Sequence, residues 1–383
     1  MMDRPGPLAG VVVLDLGQIY NGPYASFLMA MAGATVIKIE PPGGEYLRAR
    51  SAVGGIDMPF AMLNANKQSV VLNLKEEGDR DLFLQAVREV DIVLENFASG
   101  TMDRLGIGWD ALSAVNPRLI FASGSGFGRS GPHRDFPAMD ITVQAFAGLM
   151  SVTGFEDGPP TKCGPALCDF SGGVHLFGAT MAALFERERT GKGRLVEVAM
   201  QESVYFTLAS NLALWQRTGR SFRTGNRHGG FATVPYNVYA TSDGHIAITC
   251  VNDKHWRALT KVMRQPHLGD DPRFARLKDR VERMDAVDLL VETWARSQTK
   301  QGAFDALIEA KVPCAPVRTV EEVANDPHMH ERGMLAWVDH PKLGRVPMPN
   351  SPLRFDGTPQ MELRREPDLD ANRQEFMRLV RPG

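Results

Sequence analysis

Cysteine is scarce in this sequence, four among 383 residues, which excludes a disulfide-stapled scaffold. The four do not form a zinc set either. Cys163 and Cys168 lie close together, but no second Cys or His pair follows them, so they read as packing thiols and no metal is expected. No apolar run reaches bilayer length; GVVVLDL and VHLFGATMAALF are both too short, so no membrane association is expected. Neither charge sign is in excess: 43 Lys and Arg stand against 45 Asp and Glu, for a net charge of -2. The chain therefore offers no electrostatic reason to bind nucleic acid. The start MMDRPGPLAG lacks a secretory pattern, which makes the cytoplasm the expected location. Internal repeats and low-complexity tracts are also missing.

The segments present alternate. GVVVLDL, ATVIKIE, SVVLNLK, DIVLENF and LIFASGSG read as short apolar strands bounded by turn residues. Helical patterns separate them, such as the segment opened by Gly22-Pro23 and EEGDRDLFLQAVREV. This alternation predicts an α/β fold with a parallel sheet covered on both faces. Helices are expected from Pro137 to Gly148 and from Phe170 to Arg189, then a strand at RLVEVAM and one long helix over QESVYFTLASNLALWQRT. The character changes at RSFRTGNRHGGFATVP, a basic, glycine-rich loop. A β-hairpin turning at Ser242-Asp243-Gly244, several helices and a strand at VPCAPV follow, and a proline-rich tail closes the chain. The expected division is a large domain over 1–224, a small α+β domain over 225–325, and a segment over 326–383 returning to the first.

Three features carry possible chemistry. The run SGSGFGRSGP follows a strand, but Gly124, Gly126 and Gly128 miss the dinucleotide register, so a dehydrogenase is not expected. Lys38, Asn66, Lys67, Lys75, Asn96, Phe97 and Arg104 stand near strand ends, where open α/β sheets bind ligands and where phosphates would meet Lys and Arg, although each charge alone reads as a solvated surface group. Asp169 adjoins an apolar helix. It can cap that helix, or serve as a nucleophile kept ionised there beside Ser171-Gly172-Gly173. The residues alone leave both readings open.

Several longer stretches bear on that choice. LDLGQIYNGPYAS, GATVIKIEPPGGEYLR, NANKQSVVLNLK, DIVLENFASGTMDRLGI, NPRLIFASGSGFGRSGP, the Asp169 segment, GRLVEVAMQES and VPCAPVRTVEEVANDPHMHERGML occur in the order of the class III CoA-transferase family. This family includes formyl-CoA transferase, carnitine CoA-transferases and α-methylacyl-CoA racemase. The resemblance spans roughly residues 8 to 337. It implies a Rossmann-like large domain with a smaller one, in two protomers threaded as interlocked rings. A homodimer is expected, a heteromer with a homologous chain being the alternative.

By the same resemblance, Asp169 is the nucleophile that attacks an acyl-CoA thioester. The reaction moves CoA to an acceptor carboxylic acid through anhydride and aspartyl-CoA thioester intermediates, with succinyl-CoA as a candidate donor. Coenzyme A enters as substrate, and no tightly bound cofactor is implied. Gln18 would stabilise the reacting carbonyl. Lys38, Lys75, Asn96, Phe97, Arg104 and Leu105 match positions lining the CoA adenosine and phosphates. Tyr20, Met139, Gly229, Gly230 and Phe231, with Tyr236 nearby, would line the substrate pocket, and Arg48 or Arg227 would hold the second carboxylate of a diacid. Where some transferases carry a longer glycine lid, only Gly229 and Gly230 separate His228 from Phe231. Racemases of this fold need a histidine before the aspartate of PAMDITVQAF; Met139 stands there and cannot move protons. A CoA-binding subunit awaiting a partner is the remaining alternative.

Overall fold

The computed structural model describes residues 6–50 and 58–380. The chain forms two compact units. The first comprises Met1–Ala147, Pro165–Tyr205 and Ala324–Gly383; the second comprises Gly148–Gly164 and Phe206–Val323.

The first unit is built on six strands: β1 (Val12–Asp15), β2 (Thr35–Glu40), β3 (Gln68–Val71), β4 (Ile92–Glu95), β5 (Ile120–Ser125) and β6 (Arg194–Ala199). They pair in parallel in the order β3-β2-β1-β4-β5-β6. The helices of this unit include α1 (Asn21–Met31), α2 (Met58–Asn64), α3 (Glu77–Val87), α4 (Asp140–Phe146), α5 (Leu167–Thr190) and α6 (Met200–Tyr205).

Strand residues alternate between two cores, as the two-residue period of a strand requires. Val12, Leu14, Ile37, Val70 and Val93 join Phe83 and Val87 of α3. Val13, Val36, Ile92, Leu94 and Ile120 join Ala25 and Met29 of α1 and Leu176 and Ala183 of α5. Both faces are thus covered, which explains strands that are apolar throughout. Helix α5, at 24 residues, has the length and composition of a membrane span; it packs on α1, β5 and β6. The strand order reverses direction between β1 and β4, and ligands of open α/β sheets bind beyond the carboxyl ends of the strands at such a point.

The second unit pairs β7 (Tyr236–Thr241), β8 (Gly244–Thr249) and β9 (Cys314–Pro316) antiparallel. Three of its helices, α7 (Asp253–Val262), α8 (Met284–Ala295) and α9 (Lys300–Glu309), supply Trp256, Leu259, Val287, Val291 and Leu307 to its core. The hairpin turns at Ser242-Asp243, as expected from the sequence. The expected long helix over 201–218 is instead broken: α6 ends at Tyr205, a 3₁₀ turn spans Phe206–Leu208, and helix resumes at Ala209. Val204, Tyr205, Phe206 and Thr207 are β-branched or aromatic and lose side-chain freedom in a helix, and the change of unit falls there rather than near 225.

The tail carries more structure than its prolines indicated. β10 (Leu335–His340) and β11 (Gly344–Pro349) pair as a hairpin, and α10 (Arg373–Val380) buries Phe376 against the first core. The stretch before α10 also pairs with the sheet edge. Asp370 and Asn372 accept hydrogen bonds from the backbone amides of Val71 and Ser69 at 2.8 and 3.0 Å. These bonds occupy the outer amides of the edge strand β3.

Candidate active site

Between β1 and α1 the backbone turns sharply over Gly17, Gln18 and Ile19. Ile19 has φ +62°, a left-handed conformation that strains a β-branched residue. Buried side chains hold this turn group by group. Asp15 accepts from the Gly17 amide at 2.7 Å, and the Lys38 ammonium donates to the Gly17 carbonyl at 2.8 Å. Asn96, at the end of β4, accepts from the Gln18 amide at 2.7 Å and donates to the Gln18 carbonyl at 3.0 Å. Glu45 accepts from the Ile19 amide at 3.2 Å. With the backbone so fixed, the Gln18 side chain is left without a hydrogen-bond partner among the described residues, and it lines a cavity.

That cavity, of about 210 Å³, is bordered by Gln18, Asn96, Phe97, Gly124–Phe127, Arg134, Met139 and Asp169, among others. Asp169 lies in the first turn of α5 and is 8% exposed. Its carboxylate has no hydrogen-bond partner among the described residues. Burial, and then the charge of Asp140, push its pKa up to about 7. The sequence placed Asp169 just before the helix as a potential cap. The helix in fact starts at Leu167, and the cap comes from α4: Asp140 Oδ1 accepts from the amides of Cys168 at 2.8 Å and Asp169 at 3.3 Å. The other oxygen of Asp140 accepts from Gln144 Nε2 at 2.6 Å.

Asn21 completes the floor. Its amide donates to the Asp169 carbonyl at 3.3 Å, while its Oδ1 is buried with no partner. A Cβ on Gly124 would lie 2.3 Å from Asn21 Oδ1, and one on Gly172 would lie 2.2 Å from Nδ2. Only glycines on β5 and α5 let this asparagine stand between them. Neither Asn21 nor Asp140 was identified from the sequence as part of this site. The cue for Asn21 was NGP at a helix start; Asp140 had been weighed only as half of an absent His–Asp pair. Arg134 was likewise overlooked, and among the described residues it is the one cationic side chain bordering the cavity.

The remaining expected residues divide. Asn96, Phe97 and Met139 border the Asp169 cavity. Leu105 packs against the first core, and Arg104 is exposed, donating to Thr101 Oγ1 at 2.8 Å. Lys75 is exposed beyond β3. Lys38 corrects the expectation of a phosphate ligand: it is fully buried and committed to Gly17. Tyr20 stacks on Phe170 with ring centroids 5.7 Å apart and borders a different, apolar cavity of about 410 Å³. Gly229, Gly230 and Phe231 belong to the second unit, where the Gly230 amide donates to His228 Nδ1. Arg48 and Arg227, expected to take a substrate carboxylate, are committed to carboxylates of the chain. Arg48 donates to both oxygens of Glu40 at 2.9 and 2.8 Å. Arg227 pairs with Asp285 and Asp288 at 2.6 and 2.8 Å. No histidine borders the Asp169 cavity among the described residues. His133 packs among Phe127, Phe136 and Phe146, and His175 hydrogen-bonds with the Ser171 carbonyl oxygen.

Comparison with known proteins fits this arrangement. Residues 8–373 match CoA-transferase family III. The chain is 42% identical over 356 residues to an acetyl-CoA:oxalate CoA-transferase of Acetobacter aceti, covering 92% of this chain and 90% of that protein. It is 35% identical to a succinyl-CoA:mesaconate CoA-transferase of Haloarcula marismortui, covering 97% and 96%. A CAIB/BAIF family protein from Brucella suis superposes with a TM-score of 0.86 at 31% identity, over 99% of this chain and all of that one.

Proposed function

Since the chain belongs to CoA-transferase family III, we propose that it moves CoA from an acyl-CoA donor to a small carboxylic acid, with Asp169 as the covalent nucleophile. The observation that carries this reading is a buried carboxylate, unpaired by any hydrogen bond, facing the same cavity as an unengaged glutamine amide.

An oxygen of Asp169 attacks the thioester carbonyl carbon. The carbon–sulfur bond breaks, CoA leaves as thiolate with the bonding pair, and a mixed anhydride remains. The thiolate then attacks the aspartyl carbonyl, which releases the donor acid as its carboxylate and leaves an aspartyl-CoA thioester. The acceptor carboxylate repeats these steps in reverse and departs as acyl-CoA, so no net proton is consumed. Gln18 is positioned to donate to the oxyanion formed at each attack. The cavity must exclude water, because the anhydrides would hydrolyse.

The relatives act on formyl, acetyl, succinyl, oxalate and mesaconate groups, as their names state. A small mono- or dicarboxylate acceptor follows, and Arg134, which borders the cavity and holds only an exposed pair with Asp135, is the cation proposed to meet its charge. Arg104 and Lys75, both exposed, remain the residues proposed for the CoA phosphates. We assign the same interlocked two-protomer assembly that the family resemblance implies, with the glycines near Phe231 as part of the completed site. Racemisation has less support, since it needs a base on each face of the α-carbon and no imidazole borders the cavity among the described residues.

Intact-protein mass spectrometry after incubation with acyl-CoAs tests the proposal. A CoA-sized adduct mapping to Asp169 and discharged by a carboxylic acid is expected. Asp169→Ala should form no adduct and lose transfer while still binding CoA. Transfer retained in that variant, or α-proton exchange without an adduct, would overturn the reading.

A further inference from the structure

We infer that Asp140 is a positioning residue that keeps Asp169 reactive, by taking the α5 amides for itself and by setting a second negative charge beside the nucleophile. This inference rests on Asp169 being the nucleophile.

A carboxylate in the first turn of a helix normally accepts from the open amides there, and it becomes more acidic and less nucleophilic as a result. Here those amides are already occupied. Asp140 Oδ1 reaches the Cys168 and Asp169 amides across the gap between α4 and α5. Gln144 holds its other oxygen, and Gln144 in turn reaches the Pro165 carbonyl at 3.4 Å. Asp140 is therefore fixed on three sides, and Asp169 is left with no donor of its own.

Reaction relieves the resulting repulsion. When Asp169 forms the anhydride or the thioester, its charge moves onto the departing thiolate or carboxylate, away from Asp140. The ground state is disfavoured relative to each acylated state, which favours acylation. Other groups around Asp169 do not share this role. Gln18 and Asn21 from the β1–α1 side and Met200 of α6 are uncharged. Tyr24 of α1 meets the Phe170 ring edge-on, and His175 of α5 is engaged at Ser171. Arg134 borders the cavity, is exposed and pairs with Asp135 at 3.2 Å.

The test follows adduct formation under single-turnover conditions between pH 5 and 9. Wild type should accelerate as pH rises through about 7, where Asp169 ionises. Asp140→Asn keeps an oxygen for the two amides but removes the charge. Its rise should shift to lower pH, and its plateau rate should fall about 3- to 10-fold as the nucleophile loses basicity. The acyl-CoA KM should stay unchanged. Asp140→Glu, which restores the charge, should recover the wild-type midpoint. An unshifted midpoint in Asp140→Asn would overturn the inference while leaving the transferase reading intact. Adduct formation in Asp169→Ala would instead remove the reading beneath it.

Discussion

Two sets of buried carboxylates sit in the first unit, and they titrate in opposite directions. Asp15 and Glu40 lie beneath the β1–α1 turn. Burial alone would raise both, yet Lys67 and Lys38 hold Asp15 below its usual value, and Arg48 does the same for Glu40. Asp169 and Glu95 are also buried, and both are pushed up to about 7. Depth is similar in the two sets, so it does not explain the difference. Partners do. Asp15 receives the Gly17 amide, Ser26 Oγ at 2.7 Å and Lys67 Nζ at 2.8 Å. Glu95 is bonded by Ser123 Oγ and the Phe97 amide, with its nearest cation, Arg129, 4.0 Å away. The Asp169 carboxylate receives no hydrogen bond among the described residues. The first set uses charge to fix a loop; the second lacks a close cation, and Asp169 borders the cavity.

Removing one cation from the paired set should have the largest effect. Lys67 is fully buried, its pKa drawn down to about 8 by burial against the opposing pull of Asp15. Lys67→Met would remove the ion-pair partner of buried Asp15 and leave it to the more distant Lys38, a loss of about 3–5 kcal/mol in urea unfolding. Adding Asp15→Asn should recover much of it. A single-variant loss below about 1 kcal/mol would show that the pair does not hold the turn. The sign with pH is fixed as well. Because the folded-state pKa of Asp15 is lowered from 3.8, its contribution is present above that value and disappears as pH falls through the folded one.

The second prediction concerns the joint between the two sets. Asn96 clamps both backbone groups of Gln18 and also borders the Asp169 cavity. Asn96→Ala should lower kcat about 100-fold, because a 1 Å displacement of a positioned group costs about that much. KM for acyl-CoA should change little. If KM rises while kcat holds, Asn96 binds CoA and does not position Gln18.

The sheet was legible because buried parallel strands leave continuous apolar runs between turn residues, and all six were readable. The tail was not. β10 and β11 contain Pro347, Pro349 and charged residues, and α10 is short, so their pattern resembles a loop until a partner surface is present. Order and resemblance singled out Asp169, Gln18, Asn96 and Met139, and these four border one cavity. Lys38 was misread because its place at a strand end resembles that of a ligand, and only burial shows that it faces inward. Asp140 went unread because a cap supplied by another helix, 28 residues away in sequence, leaves no local signature.

The smallest effect should be a gain. Asp169 has its folded pKa raised from 3.8 to about 7, so the folded state holds a proton that the unfolded chain has lost between those values. Its contribution to stability is complete below pH 4 and is lost as pH rises through 7. Asp169→Asn carries no charge at any pH and avoids that loss. Relative to wild type it should therefore be more stable at pH 8, with the advantage fading toward pH 4. The same substitution at the paired site, Asp15→Asn, should destabilise at pH 8. Opposite signs for two buried aspartates within one unit would establish that this fold carries a stability cost at Asp169. An Asp169→Asn variant with no greater advantage over wild type at pH 8 than at pH 4 would mean that solvent or a bound cation already neutralises the site, and the contrast between the two sets would then not hold.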